Sequence, residues 1–292
     1  MDRKTLKIIL WGLLAVVLGL SAGFCIRYFT DGKKKAEMRH LVILHVNDTH
    51  SHFEPVRSGE YAGMGGIIER AAYVDSVRRF AGPENVLLLH AGDFDQGTTY
   101  FSELGGTVEV QGLNALGYDV VTLGNHEFDN GIDALGVQLS GLEMPVVVCN
   151  YDFSPFEAGK YIQPFVIVEK AGMKIGVIGV LCNLKDMVAG DIANRIPEFD
   201  LYPTVQKYAD QLRPQCDLVI VLSHIGYTEH NPGDITDSVL CANTRNIDLF
   251  VGGHSHTFLE EAQYHPNLDG KKIPIVQDGW MGAFVGRFDV TL

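Results

Sequence analysis

The chain has 292 residues, 46% of them hydrophobic and 20% charged, and this ordinary globular composition excludes a disordered chain, a collagen and a coiled coil. Its net charge of −13 is unevenly spread, because residues 1–39 carry eight Lys or Arg against three Asp or Glu, whereas residues 40–292 carry 15 against 33. Residues 40–292, which we call the body of the chain, are acidic enough to repel a phosphate backbone, and this argues against binding of DNA or RNA.

The first 39 residues contain a basic and apolar segment. Three Arg or Lys side chains precede an uncharged run at residues 8–26, whose 19 residues could cross about 30 Å of hydrocarbon as a helix. The pattern predicts an exported protein of the periplasm or cell envelope, in which residues 1–39 are either a signal peptide cut after Gly23 or, as we favour, a membrane anchor plus linker. Cys25 suggests a lipoprotein, which the bulky Phe24 before it disfavours. A buried core helix is the remaining alternative, and the basic flanks argue against it.

From residue 40 onward, short apolar runs rich in β-branched residues alternate with amphipathic stretches. This rhythm predicts an α/β fold, and Ala171-Gly172 between two apolar runs predicts a hairpin, so we expect mixed sheets. Strands are predicted at residues 41–46, 86–90, 120–123, 146–149, 165–169, 174–180, 218–223, 249–251, 273–276 and 284–290. Helices are predicted at residues 66–80, 107–116, 132–142, 204–212 and 236–242.

Four cysteines lie in the body, and none belongs to a Cys-x-x-Cys pair, so the spacing of a zinc ribbon is absent. An oxidising compartment would permit two disulfides, but the isolated positions in apolar runs favour buried free thiols. The four are Cys149, Cys182, Cys216 and Cys241.

Polar side chains directly follow five of the predicted strands. Because the carboxyl ends of strands in an α/β sheet share an edge, side chains far apart in sequence can meet there. Taken alone, each is typical of a turn, a helix cap or an ordinary histidine, but their joint occurrence in this order favours one shared site. The strand ends deliver Asp48 and His50, Asp93, Asn125 and His126, His224, and finally His254 and His256.

The other histidines of the body do not follow this pattern, and we predict that they are surface, strand or loop residues. Glu127 could support a metal ligand rather than be one. These histidines are His40, His45, His52, His90, His230 and His265.

The residue types at these strand ends are those of a metal site. Imidazole and carboxylate groups without a sulfur ligand suit Zn, Mn, Fe or Co as divalent ions. Asp48 and His50 are two residues apart and can both reach one ion, and His254 and His256 repeat that spacing. Two dications would bring four positive charges and Asp48 with Asp93 two negative ones, and the remainder matches the dianion of a phosphate monoester.

The series NDTH, AGD, GNHEFD, SHIG and GGHSH resembles the calcineurin-like metallophosphoesterases, and among them the metallophosphatase domain of the bacterial 5′-nucleotidase/UDP-sugar hydrolase family. The resemblance extends over residues 41–292. It implies a four-layer α-β-β-α sandwich of two mixed β-sheets, with residues 40–292 as a single catalytic domain. It also implies two divalent metal ions, one held by Asp48, His50 and His256, the other by Asn125, His224 and His254, with Asp93 bridging them.

The resemblance further assigns the chemistry to a few side chains. His126, oriented by Asp129, would be the catalytic histidine, and Asn125 with His126 would contact the substrate phosphate. The implied reaction is metal-assisted hydrolysis of a small phosphorylated substrate, with a nucleotide as the expected one. Other substrates within the family stay open: cyclic nucleotides, nucleotide sugars or sulfur compounds. The alternative outside enzymes is a tethered binding module that keeps its metals only for structure.

Two-domain members of that family carry a second domain, which supplies arginines for the phosphate and aromatic rings for the nucleobase. This sequence ends with the first domain. We therefore expect that nucleotide selectivity comes from a separately encoded domain of that kind.

Overall fold

Two six-stranded β-sheets lie at the centre of residues 40–291 in the computed structural model, which describes residue 2 and residues 38–292. The run at residues 8–26 and Cys25 lie outside the described residues, so the anchor, the signal peptide and the lipidation stay predictions. Within the described residues, no helix has the length and apolar character needed to cross a membrane.

The first sheet is formed by β1 (His40–Val46), β2 (Val86–His90), β3 (Val120–Thr122), β4 (Val146–Val147), β5 (Ile162–Gln163) and β12 (Gly286–Thr291). Its order is β12-β1-β2-β3-β4-β5. The strands from β1 to β5 are parallel, and only β12 runs antiparallel to its neighbour β1. The carboxyl ends of β1, β2 and β3 therefore lie at one edge.

The second sheet is formed by β6 (Phe165–Lys170), β7 (Met173–Leu181), β8 (Leu218–His224), β9 (Leu249–Val251), β10 (Gln263–Pro266) and β11 (Lys272–Val276), in the order β10-β11-β9-β8-β7-β6. Strands β7, β8, β9 and β11 are parallel, whereas β6 and β10 are antiparallel to their neighbours. Ala171 and Gly172 join β6 to β7 with φ values of 52° and 66°, the geometry of a two-residue hairpin turn. Both sheets are mixed, as predicted.

The helices are α1 (Ile67–Ala81), α2 (Thr99–Leu104), α3 (Thr107–Leu116), α4 (Ile132–Leu139), α5 (Leu184–Met187), α6 (Gly190–Ala193), α7 (Leu201–Leu212) and α8 (Asp237–Ala242). Short 3₁₀ turns occupy Pro83–Asn85, His126–Phe128 and Glu157–Lys160. Helix α7 begins three residues earlier than predicted, because Pro203 falls in its first turn, where the missing N–H is not needed.

Alternate residues of each central strand face two different hydrophobic cores. In β1, Leu41 and Ile43 pack in a core that includes Ile175 and Ile220 of the second sheet, and this core lies between the sheets. Their neighbours along β1 belong to a core shared with the helices. A strand buried on both faces reads as a continuous apolar run, which is what the sequence of β1 shows. The layers are those of an α-β-β-α sandwich, so the predicted fold is confirmed.

The sequence did not predict the edge strands β5 and β10, which have two and four residues and lack a buried apolar face. It also missed α2, α5 and α6, since helices of one or two turns show no clear period. The predicted strand at 146–149 is shorter, and the predicted helix at 132–142 ends at Leu139. All four body cysteines are buried and free, as predicted.

Candidate metal centre

Residues from both sheets meet where β1, β2, β3, β8 and β9 end. The Oδ1 atom of Asp48 lies 3.3 Å from Nε2 of His256 and 3.9 Å from Nε2 of both His50 and His224. Oδ2 of Asp93 lies 3.1 Å from Nε2 of His224. The first sheet contributes the two carboxylates and His50, and the second contributes His224 and His256, so side chains from four of these strand ends meet at one point.

Ligand-type atoms within 4.8 Å of one another form three overlapping clusters among the described residues: Asp48, His50 and His256; Asp93, His224 and His254; and His50, Asp93 and His126. The first cluster contains the three residues of the first implied ligand set, and the second contains His224, His254 and Asp93 but not Asn125. Asp93 belongs to the second and third clusters, and the third adds His126, which the resemblance assigns to catalysis. Asn125 is buried beside them, with Oδ1 3.7 Å from Sγ of Cys182.

The donor set fits a bound metal. Oδ1 of Asp48 and Nε2 of His224 are buried and, apart from their close contacts with His256 and Asp93, have no hydrogen-bond partner among the described residues. The Nε2 atoms of His50 and His256 lie 3.0 Å from each other. Leaving buried polar atoms unpaired is costly, and a divalent cation shared by carboxylate and imidazole groups would satisfy them.

Backbone carbonyls fix the orientation of two of these histidines. Nδ1 of His224 lies 2.7 Å from the carbonyl oxygen of Ala91, and Nδ1 of His50 lies 3.3 Å from that of Asp95. A hydrogen bond at Nδ1 turns Nε2 toward the site, and outer contacts of this kind orient histidines that bind metals.

The carboxylates make the site strongly favourable for positive charge. Burial alone would lower the pKa of His224, but the adjacent Asp93 and Asp48 outweigh it and raise that pKa to about 10. Burial would raise the pKa of Asp93, but His224 and the other histidines hold it well below its usual range. Burial lowers the pKa of His254 to about 4, which keeps this imidazole neutral, the form that binds metal.

The backbone is left-handed at most of the predicted ligands. Such φ values are uncommon outside glycine, cost roughly 1–3 kcal/mol each, and cluster at functional sites where the surroundings enforce them. The positive φ angles are 48° at Asp48, 46° at His50, 53° at Asp93, 79° at His254 and 53° at His256.

Glu127 supports the loop that carries Asp93. Its carboxylate accepts hydrogen bonds from the backbone N–H groups of Asp93, Phe94, Asp95 and Gly124. Burial raises the pKa of Glu127 to about 7. The sequence left this residue ambiguous, and the contacts show that it holds the backbone beside Asp93 and belongs to none of the three clusters.

His126 stands at the opening of the site. Its Nδ1 atom lies 2.9 Å from Oδ2 of Asp129, its side chain is 31% exposed, and its backbone N–H donates to Oδ1 of Asp93. Burial would lower the pKa of His126, but the hydrogen bond to Asp129 and the charge of Asp93 raise it to about 8. With Nδ1 engaged by Asp129, Nε2 is the nitrogen that can serve a substrate.

The segment after β11 contributes to the site in a way that the sequence did not predict. The ring of Trp280 stacks on that of His256, and Asn47 donates to Oδ2 of Asp48 and to the carbonyl of Gly279. Asp278 accepts from the backbone N–H of Asn47. Strand β11 runs parallel to β9 and ends just before this segment, so the polar and aromatic residues after it were the signal from which the sequence could have predicted its role.

The remaining histidines lie outside the three clusters. His40 is exposed on β1, and His45 and His90 are buried on β1 and β2. His230 comes nearest to a predicted ligand, with its ring centroid 5.7 Å from that of His254. His52 and His265 contact a backbone carbonyl and Tyr227, respectively.

Comparisons with known proteins give a consistent result. The family model described as calcineurin-like phosphoesterase matches residues 41–258. The chain is 32% identical to snake venom 5′-nucleotidase of Naja atra, over 86% of this chain and 50% of that protein, and 31% identical to 5′-nucleotidase of Bos taurus, over 86% and 46%. The crystal structure of a 5′-nucleotidase precursor from Thermus thermophilus matches with a TM-score of 0.76 and 32% identity, covering 87% of this chain and 51% of that one. The chain thus spans about half the length of these relatives.

Proposed function

The chain belongs to the calcineurin-like phosphoesterase family, and from that premise we propose that it hydrolyses phosphate esters of nucleotides at a centre of two divalent metal ions. The observation that carries this proposal is the pair of ligand clusters, one around Asp48 and the other around His224, with Asp93 reaching toward both. A phosphate ester is the substrate class whose negative charge such a centre would neutralise.

The proposed ligand assignment combines the first two clusters with the family resemblance, which adds Asn125. Asp48, His50 and His256 would hold the first ion, Asp93 would bridge, and the second ion would be held by Asn125, His224 and His254. When bound, the ions would supply a water of lowered pKa and neutralise the phosphoryl oxygens. The donor set suits Zn, Mn, Fe or Co.

The protein side chains would bind and protonate the substrate. Asn125 and His126 lie at adjacent positions beside Asp93 and would contact the phosphate. His126 would donate a proton from Nε2 to the leaving oxygen, while Asp129 holds the ring from Nδ1. The His126–Asp129 contact favours an enzyme over a tethered binding module, which would have no use for a proton donor.

The names of the relatives support a nucleotide as the substrate. Cyclic nucleotides, nucleotide sugars and sulfur compounds are the alternatives within the family. The five sequence motifs NDTH, AGD, GNHEFD, SHIG and GGHSH contain neither Lys nor Arg, and discrimination between bases needs hydrogen bonds or stacking far from the phosphate. We therefore propose that base recognition comes from a partner domain of the nucleotidase type, docked over the metal-bearing loops.

For the cellular location, we propose an exported protein with residues 1–39 as anchor or signal peptide and residues 40–292 as the catalytic domain. The basic and apolar N-terminal sequence supports export. One of the relatives is a venom protein, which is secreted material.

The test is hydrolysis of p-nitrophenyl phosphate by the purified full chain, with and without added Mn²⁺, followed by AMP, UMP, cyclic AMP and UDP-glucose. We expect metal-dependent release of p-nitrophenol and little preference between AMP and UMP. A preference for one nucleotide above about 10³-fold would show that the chain carries its own base pocket. Absence of hydrolysis with two ions bound would contradict the proposed activity.

A further inference from the structure

A small cavity lined by both polar and apolar residues lies directly behind the loop that carries Asp48 and His50, the proposed ligands of the first ion. This loop, residues 47–52, follows β1, and the cavity has a volume of about 20 Å³. Besides loop residues, its polar lining consists of Arg70 from α1, His90 from β2, Glu109 from α3 and Tyr118. The cavity is on the helix side of the loop, where apolar side chains would be the ordinary filling.

Side chains of the loop alternate between the metal site and this cavity. Asp48 and His50 belong to the first ligand cluster, whereas Thr49 and Ser51 line the cavity. Oγ1 of Thr49 lies 3.2 Å from Nε2 of His90. The two faces of the loop therefore have different partners, metal ligands in front and buried polar residues behind.

Two charged side chains contact the loop from behind. Ser51 donates from Oγ to Oε1 of Glu109 at 2.5 Å, and Arg70 donates from Nη2 to the carbonyl oxygen of His52 at 3.1 Å. Only 7% of Arg70 and 3% of Glu109 is exposed. Nε and Nη1 of Arg70 and Oε2 of Glu109 have no hydrogen-bond partner among the described residues.

Burying Arg70 and Glu109 with polar atoms left unpaired costs free energy of folding, which suggests that the two side chains have a role that offsets this cost. Charged groups buried without full pairing reduce the stability of the fold, and an apolar pair of similar volume would pack there at lower cost. The loop itself is strained, with positive φ at Asp48, His50 and Ser51. Three left-handed residues among four positions persist only where the surroundings hold them.

Taking the proposed metal centre as given, we propose that Arg70 and Glu109 are positioning residues that hold the 47–52 loop in the strained shape in which Asp48 and His50 reach the first ion. Glu109 acts through Ser51, and Arg70 acts through the carbonyl of His52. Neither residue touches the substrate. Their loss lowers the affinity for the first ion and leaves the second ion, whose ligands come from other loops, largely unaffected.

The experiment is a Co²⁺ titration of the metal-free full chain, followed by visible absorption and by elemental analysis. The variants are Glu109→Ala, Glu109→Gln and Arg70→Lys, with Glu103→Ala and Arg79→Ala as controls, because both control residues are exposed. Reference titrations of His256→Ala and His254→Ala identify which binding constant belongs to which ion. Circular dichroism of each metal-free variant checks that it folds.

We expect Glu109→Ala and Arg70→Lys to lower the binding constant for the first ion by about 10- to 100-fold, the usual effect of losing an outer contact to a metal ligand. Glu109→Gln keeps an acceptor for Ser51, so it should recover part of this loss. The controls should match the wild type. At saturating metal, kcat should return toward the wild-type value, since the reacting groups are intact.

Binding constants for both ions that stay at their wild-type values would show that the two residues do not position the loop. An equal fall in both constants would indicate a general structural defect, and it would also contradict the proposed role. If Glu109→Ala does not fold, Ser51→Ala breaks the same contact from the other end and carries the same expectation. Wild-type protein that binds no metal would contradict the proposed function instead, so the two failures are distinguishable.

Discussion

The indole ring of Trp280 lies parallel to the imidazole of His256, with their centroids 4.6 Å apart and an angle of 12° between the planes. His256 needs this support more than the other predicted ligands of the first ion, because its side chain is 34% exposed whereas those of His50 and Asp48 are buried. The same indole lies nearly perpendicular to the ring of His50, with their centroids 6.3 Å apart. One aromatic residue thus restricts two imidazoles at the open side of the site.

Replacing Trp280 tests this restriction. Trp280→Ala should leave His256 free to rotate and lower kcat/KM at limiting metal by about 10- to 100-fold, while Trp280→Phe keeps a stacking ring and should retain most activity. The measurement is the rate of p-nitrophenyl phosphate hydrolysis against metal concentration. Equal loss in both variants would show that stacking is not the reason for this residue.

Asp93 offers the most direct test of a shared centre. Asp93→Ala should abolish turnover and lower the bound metal, because the proposed bridge contacts both ions and carries a negative charge beside them. His265→Ala, which removes a side-chain contact with Tyr227 outside the three clusters, should do neither. Elemental analysis that finds two full equivalents of metal in Asp93→Ala would rule out the bridging role.

His126 should separate metal occupancy from rate. His126→Gln should keep both ions and lower kcat by roughly 10²- to 10⁴-fold, the scale of a lost general acid. Asp129→Asn should lower kcat less, since the ring stays in place but loses its charged partner. Because His126 also lies in a cluster with His50 and Asp93, metal content must be measured in each variant. If His126→Gln loses a bound ion as well as activity, His126 is a metal ligand and not the proton donor.

His45 should make the fold sensitive to mild acid. Burial lowers its pKa from 6.5 to about 4, so the unfolded chain takes up a proton below pH 6.5 while the folded chain does not. The contribution of His45 to the free energy of unfolding should therefore fall by roughly 3 kcal/mol as the pH drops from 6.5 to 4. His45→Gln should remove this part of the pH dependence in urea unfolding curves, whereas His40→Gln, at an exposed position of the same strand, should keep it. Identical curves for the wild type and His45→Gln would contradict the assignment.

The sequence predicted the fold correctly, and most of the predicted ligands lie together in the structure, because both predictions depend on local patterns. The apolar runs predicted the positions of the central strands. The polar residues after these runs predicted a shared site, because the carboxyl ends of parallel strands lie at the same edge of a sheet. Arg70, Glu109 and Trp280 could not be found in this way. Two of them lie on helices, one follows a strand of the second sheet, and their proximity to the site depends on how helices and sheets pack.

The proposed metal ligands come from both sheets, and His50 and His256 are separated by 206 positions in the chain although their Nε2 atoms lie 3.0 Å apart. An ion held between them would join the two halves of the sandwich as a reversible cross-link. Folding would then be linked to the supply of metal: at a free concentration 100 times the dissociation constant, one site adds about 2.7 kcal/mol to the free energy of unfolding. Chelation should accordingly lower the melting temperature as well as stop turnover, so the abundance of this protein in its compartment would follow the metal available there.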